Sequence, residues 1–330
     1  MGLLVDGEWA DRWYDTSRSG GRFVRQDSRW RESITVGGRF PVEAGRYHLY
    51  VAWACPWAHR TLLARTLMGL EDAIDVSFVQ PEMLEEGWTF DAGHVDQLYG
   101  LKRLYELYLK DSPTATTRVT VPVLWDKKAQ AIVNNESSEI IRMLWGPMAS
   151  LGRPGAPLAG HDLRPPALVE ELDRVNKRVY ETVNNGVYRC GFATTQGAYN
   201  EAVAALFDSL DWLEAHLARR RWLVGDAFTE ADLRLFPTLV RFDPVYHSHF
   251  KCSRRALREY PNLWAYTRDI YQLPGVSGTV KMPEVRRYYF YSHDSINPHR
   301  IVPVAPWGGS GACDLGGTHA RGQLGGLRGR

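Results

Sequence analysis

A cysteine followed at once by a proline, just after an apolar run, is the feature that most constrains this chain. The run, residues 47–53, is typical of a buried strand, and Cys55 and Pro56 follow it closely. Apolar side chains then recur at helical spacing over residues 57–68. Residues 73–79 are typical of a second strand. The sequence therefore predicts that the folded core begins as strand, helix, strand.

The rest of the chain changes character once. After a predicted helix over residues 98–109, a hairpin (121–125 with 131–134) and a short helix (137–144) follow. The predicted domains are an irregular extension (1–45), a thioredoxin-like α/β domain (46–146, with an insertion at 80–117), a Gly- and Pro-rich linker (147–166), an all-helical domain (167–302) and a Gly-rich tail expected to be disordered (303–330).

Composition excludes several classes of protein. The 330 residues carry 40 basic and 38 acidic side chains, so the net charge is only +2, which argues against a nucleic-acid binder. No apolar stretch approaches the ~20 residues of a membrane helix, so no membrane association is expected. Asp6 and Glu8 stand where a secretion signal would be apolar, and four scattered cysteines do not suggest a disulfide framework. These features predict a cytoplasmic protein with free thiols.

The sharpest chemistry is expected at Cys55. Pro56 suits the first helical position, which puts Cys55 at the N-cap. Unpaired N–H groups and the helix dipole there favour a thiolate and can lower the pKa of a cysteine from ~8.5 to about 3.5–7.5. Ala58 stands where a two-cysteine redox motif has its second cysteine, so a disulfide at Cys55 would be mixed, with an external thiol. The alternative is a small buried hydrophobic residue, the usual fate of cysteine.

Two later segments could bind such an external thiol. Pro122 precedes a strand, and if the bond before it is cis, the backbone of Val121 becomes available to an extended peptide. At the start of the next helix, N–H groups and the Ser137 hydroxyl suit a carboxylate, while Glu136 could accept from an ammonium group. Glutathione has a thiol, a peptide and an amino-acid end, and so matches all three features. Helix capping and an edge-strand proline are the alternative explanation.

The chain resembles the Xi-class glutathione transferases, also called glutathionyl-hydroquinone reductases. The resemblance covers nearly all of residues 1–302 and leaves the tail unmatched. It is carried, in the family's order, by segments 53–60, 87–88, 118–128, 135–142, 185–188, 191–194, 229–236 and 296–298. It implies a thioredoxin-like N-terminal domain, an all-helical C-terminal domain and a homodimer formed largely through the helical part.

The resemblance also implies a reaction and its residues. A glutathionyl-hydroquinone would be reduced by a second glutathione, giving hydroquinone and glutathione disulfide, with Cys55 as the nucleophile. Tyr188 and one tyrosine of residues 288–291 match the hydroquinone pocket; Tyr289 is chosen, with Tyr288 and Tyr291 left open. The positions that hold glutathione in the family are matched by Trp88, Arg118, Val121, Glu136 and Ser137.

Other chemistry is not expected. His247, His249 and Cys252 have a spacing that suggests a metal site, but no fourth ligand is near in sequence, so no metal is predicted. No phosphate-binding loop is present, so no nucleotide is predicted. His59, one turn after Cys55, could tune the thiolate, although a packing or capping role is favoured. An Omega-like thioltransferase or dehydroascorbate reductase, or a non-catalytic ligand-binding module, remain the alternative functions.

Overall fold

Contacts within the computed structural model, which describes residues 2–304 and 314–328, divide the chain into two units. Unit 1 comprises residues 1–13, 26–160 and 279–292; unit 2 comprises residues 14–25, 161–278 and 293–330. The chain passes from unit 1 to unit 2 after residue 160, inside the predicted linker (147–166). Two assignments differ from the predicted domains, because residues 14–25 group with the helical unit and residues 279–292 with the α/β unit.

The described residues of unit 1 form two small sheets and four α-helices. The strands are β1 Leu3–Val5, β2 Glu8–Ala10, β3 Tyr47–Val51, β4 Ile74–Phe78, β5 Thr117–Arg118, β6 Val123–Asp126 and β7 Ala131–Asn134. The helices are α1 Pro56–Leu67, α2 Leu104–Asp111, α3 Ser137–Trp145 and, from the distant segment, α10 Met282–Ser292. The order β3-α1-β4, then β6-β7-α3, is the one predicted from the sequence.

The larger sheet has the strand order β4-β3-β6-β7. Strand β3 lies inside it, parallel to β4 and antiparallel to β6, and all five of its residues are buried. Burial on both faces explains why the strand is mostly apolar and does not alternate, as a strand with one exposed face would. Its one histidine, His48, is hydrogen-bonded to Ser77 at 2.8 Å. Helices α1 and α3 pack against each other.

The first residues are not irregular, as the weak periodicity had suggested. Strands β1 and β2 form an antiparallel hairpin, and β1 also pairs with β5. Asp6 and Gly7 form its turn, with φ of +49° and +86°. An Asp-Gly pair at a two-residue turn with positive φ is a hairpin signal in the sequence itself. The strands are only three residues long, too short for a clear period.

The predicted helix over residues 98–109 is wrong in its first half. Helix α2 begins only at Leu104. The carboxylate of Asp96 accepts hydrogen bonds from the backbone N–H groups of Leu98, Tyr99 and Leu101 at 3.0–3.1 Å. Because a side chain satisfies these donors, the segment forms a turn although its apolar residues have helical spacing.

Unit 2 is helical. Its helices are α4 Val169–Val179, α5 Gly186–Gly191, α6 Gln196–Leu217, α7 Glu230–Arg241, α8 His247–His249 and α9 Pro261–Tyr271, with π-helical turns at Tyr180–Asn184 and Phe242–Tyr246. Asp232 accepts from the Thr229 N–H at 2.8 Å, so its side chain reaches back to the start of α7. Among the described residues, no helix is both long and apolar enough to cross a membrane.

The Gly-rich tail differs from the disorder that its composition suggested. Residues 305–313 and 329–330 lie outside the described residues, but residues 314–328 contact unit 2. Arg321 is buried and donates to the carbonyls of Leu217, Arg220 and Arg221, at the end of α6. The indole of Trp222 donates to the Gly326 carbonyl at 2.8 Å. Hydrogen bonds to the backbone and from Arg321 hold this segment. Because these contacts need no apolar side chains, the sequence shows no hydrophobic periodicity that would predict them.

Candidate functional site

Sheet topology brings three of the predicted site segments to one end of the larger sheet. Strands β3 and β7 run in the same direction, and β6 runs against both. Three loops therefore lie at the same end of the sheet: the one after β3, the one before β6 and the one after β7. Cys55, Val121 and Glu136 occupy these connections. Antiparallel pairing of Tyr50 with Val123 fixes the register there.

Cys55 is the N-cap residue of α1, and Pro56 is the first helical residue, as the sequence predicted. The Ala58 N–H donates to Sγ of Cys55, with the nitrogen 3.5 Å from the sulfur. The side chain is 8% exposed. An N–H donor and the positive end of the helix both stabilise negative charge on this sulfur, which suits a thiolate nucleophile.

Val121 lies directly opposite this sulfur. Sγ of Cys55 is 3.5 Å from the Val121 carbonyl oxygen, and the Val121–Pro122 bond is cis. The preceding residue is held by Tyr108, whose hydroxyl donates to the Thr120 carbonyl at 2.8 Å and accepts from the Thr120 N–H. Asn135 donates to the same hydroxyl at 3.4 Å, and burial raises the pKa of Tyr108. This buried hydrogen-bond network therefore joins the Val121 loop to the start of α3.

The start of α3 carries a carboxylate and a hydroxyl. Glu136 is its N-cap and accepts from the Ser138 N–H at 2.9 Å. Ser137 is buried, and its Oγ lies 3.4 Å from Nη1 of Arg60, a buried residue of α1. Ser28 donates to the second Glu136 oxygen at 3.3 Å. The helix dipole and the Arg60 guanidinium together make the surroundings of the Ser137 hydroxyl electropositive, which suits a carboxylate ligand.

Trp88 and the α10 tyrosines also lie in unit 1. The indole of Trp88 stacks on the ring of Tyr288, with centroids 5.0 Å apart and an angle of 20°. Tyr289 is fully buried and meets Tyr288 edge to face at 4.9 Å. The ring of Tyr291 carries the Arg287 guanidinium at 3.7 Å. The structure thus links Trp88 directly to Tyr288 and, through it, to Tyr289.

Arg118 forms hydrogen bonds with the backbone that the sequence did not indicate. It lies in β5, beside β1, and its guanidinium donates to the carbonyls of Arg12 and Trp13, the latter at 3.0 Å. Arg118 thereby holds the segment that follows the N-terminal hairpin.

Tyr188 lies in unit 2, on α5. It is 7% exposed and belongs to a cluster of aromatic rings. Its ring centroid lies 5.4 Å from that of Phe250 and 6.2 Å from those of Phe192 and Tyr246. The cluster fixes its ring in an apolar environment, where a phenol hydroxyl is a strong hydrogen-bond donor to a ligand.

The remaining histidines and cysteines have other surroundings. The ring of His59 is buried, and its Nε2 lies 2.8 Å from Oγ1 of Thr279. His249 is hydrogen-bonded to His293 at 3.1 Å, and burial lowers the pKa of His249 to about 4. Cys190 and Cys252 are buried thiols. In the described part of the chain, no three His, Cys, Asp or Glu side chains are grouped so that they could hold a metal ion.

Sequence reasoning missed the residues that support the site. Tyr108 belongs to the predicted helix over residues 98–109, and Ser28 and Trp30 belong to the extension that is predicted to be irregular. The Trp30 N–H donates to Oδ1 of Asn135, and the Asn135 N–H donates to the Trp30 carbonyl, both at 3.1 Å. Nothing in the local pattern indicates the contacts of Ser28 and Trp30, because these join residues 81 to 108 positions apart in this chain.

The chain is similar to proteins of a known family. The family model described as glutathione S-transferase, N-terminal domain, matches residues 54–145, and the corresponding C-terminal domain model matches residues 196–269. A relative from Sphingobium chlorophenolicum, named glutathionyl-hydroquinone reductase PcpF, is 53% identical over 310 residues, covering 93% of this chain and 96% of its own.

Two solved structures are similar throughout. The glutathione-bound structure of YqjG from Escherichia coli K-12 has 48% identity and a TM-score of 0.84, covering 97% of this chain and 99% of its own. A Xi-class structure from Natrialba magadii has 45% identity and a TM-score of 0.88, covering 99% and 98%. These matches confirm the predicted fold, a thioredoxin-like domain followed by an all-helical one.

Proposed function

Because this chain belongs to the glutathione transferase family, in the group of the glutathionyl-hydroquinone reductases, we propose that it reduces glutathionyl-hydroquinones with glutathione through a mixed disulfide at Cys55. The observation that supports this most directly is the position of Cys55. Its sulfur receives the Ala58 N–H at the start of α1, and Ala58 replaces the second cysteine of a dithiol motif. A single activated thiol must exchange with an external one.

The reaction has two balanced steps. The Cys55 thiolate attacks the sulfur of the glutathionyl group, a new S–S bond forms, and the carbon–sulfur bond breaks. Its electron pair goes to the ring carbon, which takes up a proton to give the hydroquinone. A second glutathione then attacks the glutathionyl sulfur of the mixed disulfide, releases the Cys55 thiolate and leaves as glutathione disulfide. Overall, the ring gains two electrons as the glutathionyl sulfur of the conjugate and the sulfur of the second glutathione join in a disulfide, and Cys55 is regenerated.

Glutathione is proposed to bind at the end of the larger sheet where Cys55, Val121 and Glu136 lie. The Val121 backbone would pair with its peptide, and the Ser137 hydroxyl, beside Arg60, would bind its γ-glutamyl carboxylate. Glu136 would accept from the ammonium group, although one of its oxygens also caps α3. Trp88 and Arg118 are included because they match family positions; Arg118 already donates to the Arg12 and Trp13 carbonyls.

The hydroquinone ring is proposed to be bound by tyrosine hydroxyls. A donor at a ring oxygen favours the keto form, from which the carbon–sulfur bond can break. Tyr289 is proposed as one donor, and Tyr288, which stacks on Trp88, is the alternative of the same helix. Tyr188 is proposed as another donor from its match to the family motif, in the apolar surroundings that its aromatic neighbours provide.

We propose two further properties. A homodimer formed largely through the helical part is proposed, and light scattering of the purified chain would show it. A cytoplasmic location is proposed because glutathione-dependent exchange at a thiol requires a reducing compartment.

The test is conjugate reduction by the purified protein, followed by hydroquinone release. The Cys55→Ala variant should lose turnover and still bind glutathione in calorimetry, whereas Cys252→Ser, a change at a buried thiol of unit 2, should retain turnover. Turnover that survives Cys55→Ala would contradict the proposal. Activity of the wild-type protein on hydroxyethyl disulfide without any on the conjugate would favour an Omega-like thioltransferase instead.

A further inference from the structure

Residues 14–25 are part of the helical unit although they belong to the N-terminal region. The Gly21 carbonyl accepts from the Thr194 N–H at 3.0 Å, and the Gly20 carbonyl accepts from the Thr195 hydroxyl at 3.0 Å. Gly21 has φ of +83°, and a Cβ there would lie 2.6 Å from the Thr195 side chain. Arg22 also forms an ion pair with Glu201, but both side chains are more than half exposed, so this pair contributes little to the docking. The segment is therefore docked at a defined place, between α5 and α6.

This docking brings Phe23 and Arg25 to Tyr188. Phe23 is buried; its ring centroid is 6.5 Å from that of Tyr188 and 5.3 Å from that of Phe192. The Arg25 guanidinium lies over Tyr188, with Cζ 4.9 Å from the ring centroid. Its Nε donates to Oδ1 of Asn185, the residue that precedes α5, at 3.1 Å. Arg25 thus contacts both the ring of Tyr188 and the start of α5, the helix on which Tyr188 lies.

A guanidinium in this position has two effects. A cation over an aromatic face attracts its electrons and restricts the ring, and here the hydrogen bond to Asn185 prevents the cation from swinging away. The same charge stabilises the negative charge that grows on the phenol oxygen when the hydroxyl donates strongly. Both effects make Tyr188 a better donor at a fixed place.

We infer that Arg25 is a positioning residue for Tyr188, which it orients and makes a stronger hydrogen-bond donor to the oxygen of a hydroquinone ring. The inference rests on the proposed function, since it assumes that Tyr188 contacts the ring. It assigns a role to the N-terminal extension, which supplies Arg25 through the docked segment 14–25.

The test is a double-mutant cycle on conjugate reduction. Arg25→Met should lower kcat about tenfold with a smaller change in KM, because the charge acts on the donor rather than on glutathione binding. In a Tyr188→Phe background the same substitution should change kcat less than about twofold, since no hydroxyl remains to be positioned. Arg25→Lys, which keeps the charge and loses the planar fork, should recover part of the rate.

Arg22→Met is the matched control. It removes an arginine from the same segment, at an exposed ion pair, and should leave kcat within about twofold of the wild type. Thermal unfolding is measured for every variant, so that a folding defect is recognised; if Arg25→Met unfolds, the cycle is run with Arg25→Lys.

Three outcomes would overturn the inference: equal kcat for Arg25→Met and the wild type, equal losses in Arg25→Met and Arg22→Met, or full additivity with Tyr188→Phe. Failure of the proposed function is distinguishable from these, because the wild-type protein itself would then not reduce the conjugate.

Discussion

The sulfur of Cys55 lies 3.5 Å from the carbonyl oxygen of Val121, on the strand-end loop that faces it. As a thiol, Cys55 donates its proton to that oxygen; the Ala58 N–H, also at 3.5 Å, donates to the sulfur and favours the thiolate. The two neighbours therefore favour opposite protonation states. A peptide N–H of glutathione that occupies the Val121 carbonyl would remove the contact that favours the thiol, so ligand binding and thiolate formation would support each other.

Cys55 is expected to be the fast-reacting thiol among the described cysteines. Alkylation by iodoacetamide at pH 6.5 should modify it at least tenfold faster than Cys190 or Cys252, because the helix start stabilises its thiolate. Cys190 and Cys252 are fully buried, and burial raises the pKa of Cys252 well above its ordinary value. Peptide mass mapping measures each rate. Equal, slow rates at all three positions would contradict an activated Cys55.

His59 is expected to stabilise the fold rather than tune the thiol. Its buried Nε2 is bound by the Thr279 hydroxyl. His59→Ala should lower the free energy of unfolding by about 1–3 kcal/mol, the cost of removing one partner of a buried hydrogen bond. The pH profile of Cys55 alkylation should stay the same. Thr279→Val provides the reciprocal variant, and a shifted profile in His59→Ala alone would show that the imidazole tunes the sulfur.

The tyrosines of α10 can be distinguished by removing one hydroxyl at a time. Tyr289→Phe should reduce kcat for conjugate reduction about a hundredfold, the usual cost of losing one donor at a developing oxyanion. Exchange with hydroxyethyl disulfide, which involves no ring oxygen, should be unaffected. Tyr105→Phe, which stacks on Trp9 elsewhere in unit 1, is the control. A comparable loss in Tyr288→Phe or Tyr291→Phe, with Tyr289→Phe active, would move the assignment to that residue.

Asp232 should make the protein more stable in mild acid. Burial raises the pKa of Asp232 to about 6, although it accepts hydrogen bonds from Thr229, Leu223 and Tyr266. An unfolded aspartate titrates near ~3.9, so between these values only the native state holds the proton. The contribution of this group to the free energy of unfolding therefore rises as the pH falls from about 7 to about 4.

Thermal unfolding at several pH values checks this sign. Asp232→Asn cannot titrate, so the Tm of the wild type minus that of the variant should increase from pH 7 to pH 5. The exposed Asp208→Asn serves as a control, because its ion pair with Arg178 lies at the surface. A difference that shrinks over this range would mean that hydrogen bonding outweighs burial at Asp232.

The ordered part of the tail should contribute to stability. Arg321→Ala leaves the carbonyls of Leu217, Arg220 and Arg221 without this donor, so we expect a loss of about 1–3 kcal/mol and a Tm lower by several degrees. Gln323→Ala, an exposed neighbour in the same short helix, should have no such effect. Indistinguishable Tm values for the two variants would show that the segment contributes little.

The core of the candidate site was predictable because its signals are local. Pro56 fixes where α1 begins, and the apolar run before Cys55 fixes β3, so the position of the sulfur follows from adjacent residues. The start of α3 at Ser137 and the strand after Pro122 follow in the same way. Motif matches then supplied the family and its reaction.

What could not be predicted depends on contacts between distant residues. Asp96 replaces the first turn of a helix with side-chain hydrogen bonds, and Arg321 holds a segment that has no apolar period. The environment of Tyr188 includes Arg25, which is separated from it by most of the α/β unit in sequence. No window of neighbouring residues contains that information.

The chain passes between its two units after Trp13, Arg25, Gly160, Gly278 and Ser292. A single cleavage in the Pro-rich linker would therefore not yield two self-sufficient halves. The front fragment would keep residues 14–25, whose partners are gone, and would lack α10 with its tyrosines. The rear fragment would expose Tyr188 and Phe192 where Phe23 and Arg25 had covered them. When the halves are expressed separately, we expect poorly soluble fragments that regain activity only when they are combined. Because each unit is built from segments of both halves, the two units are expected to fold together.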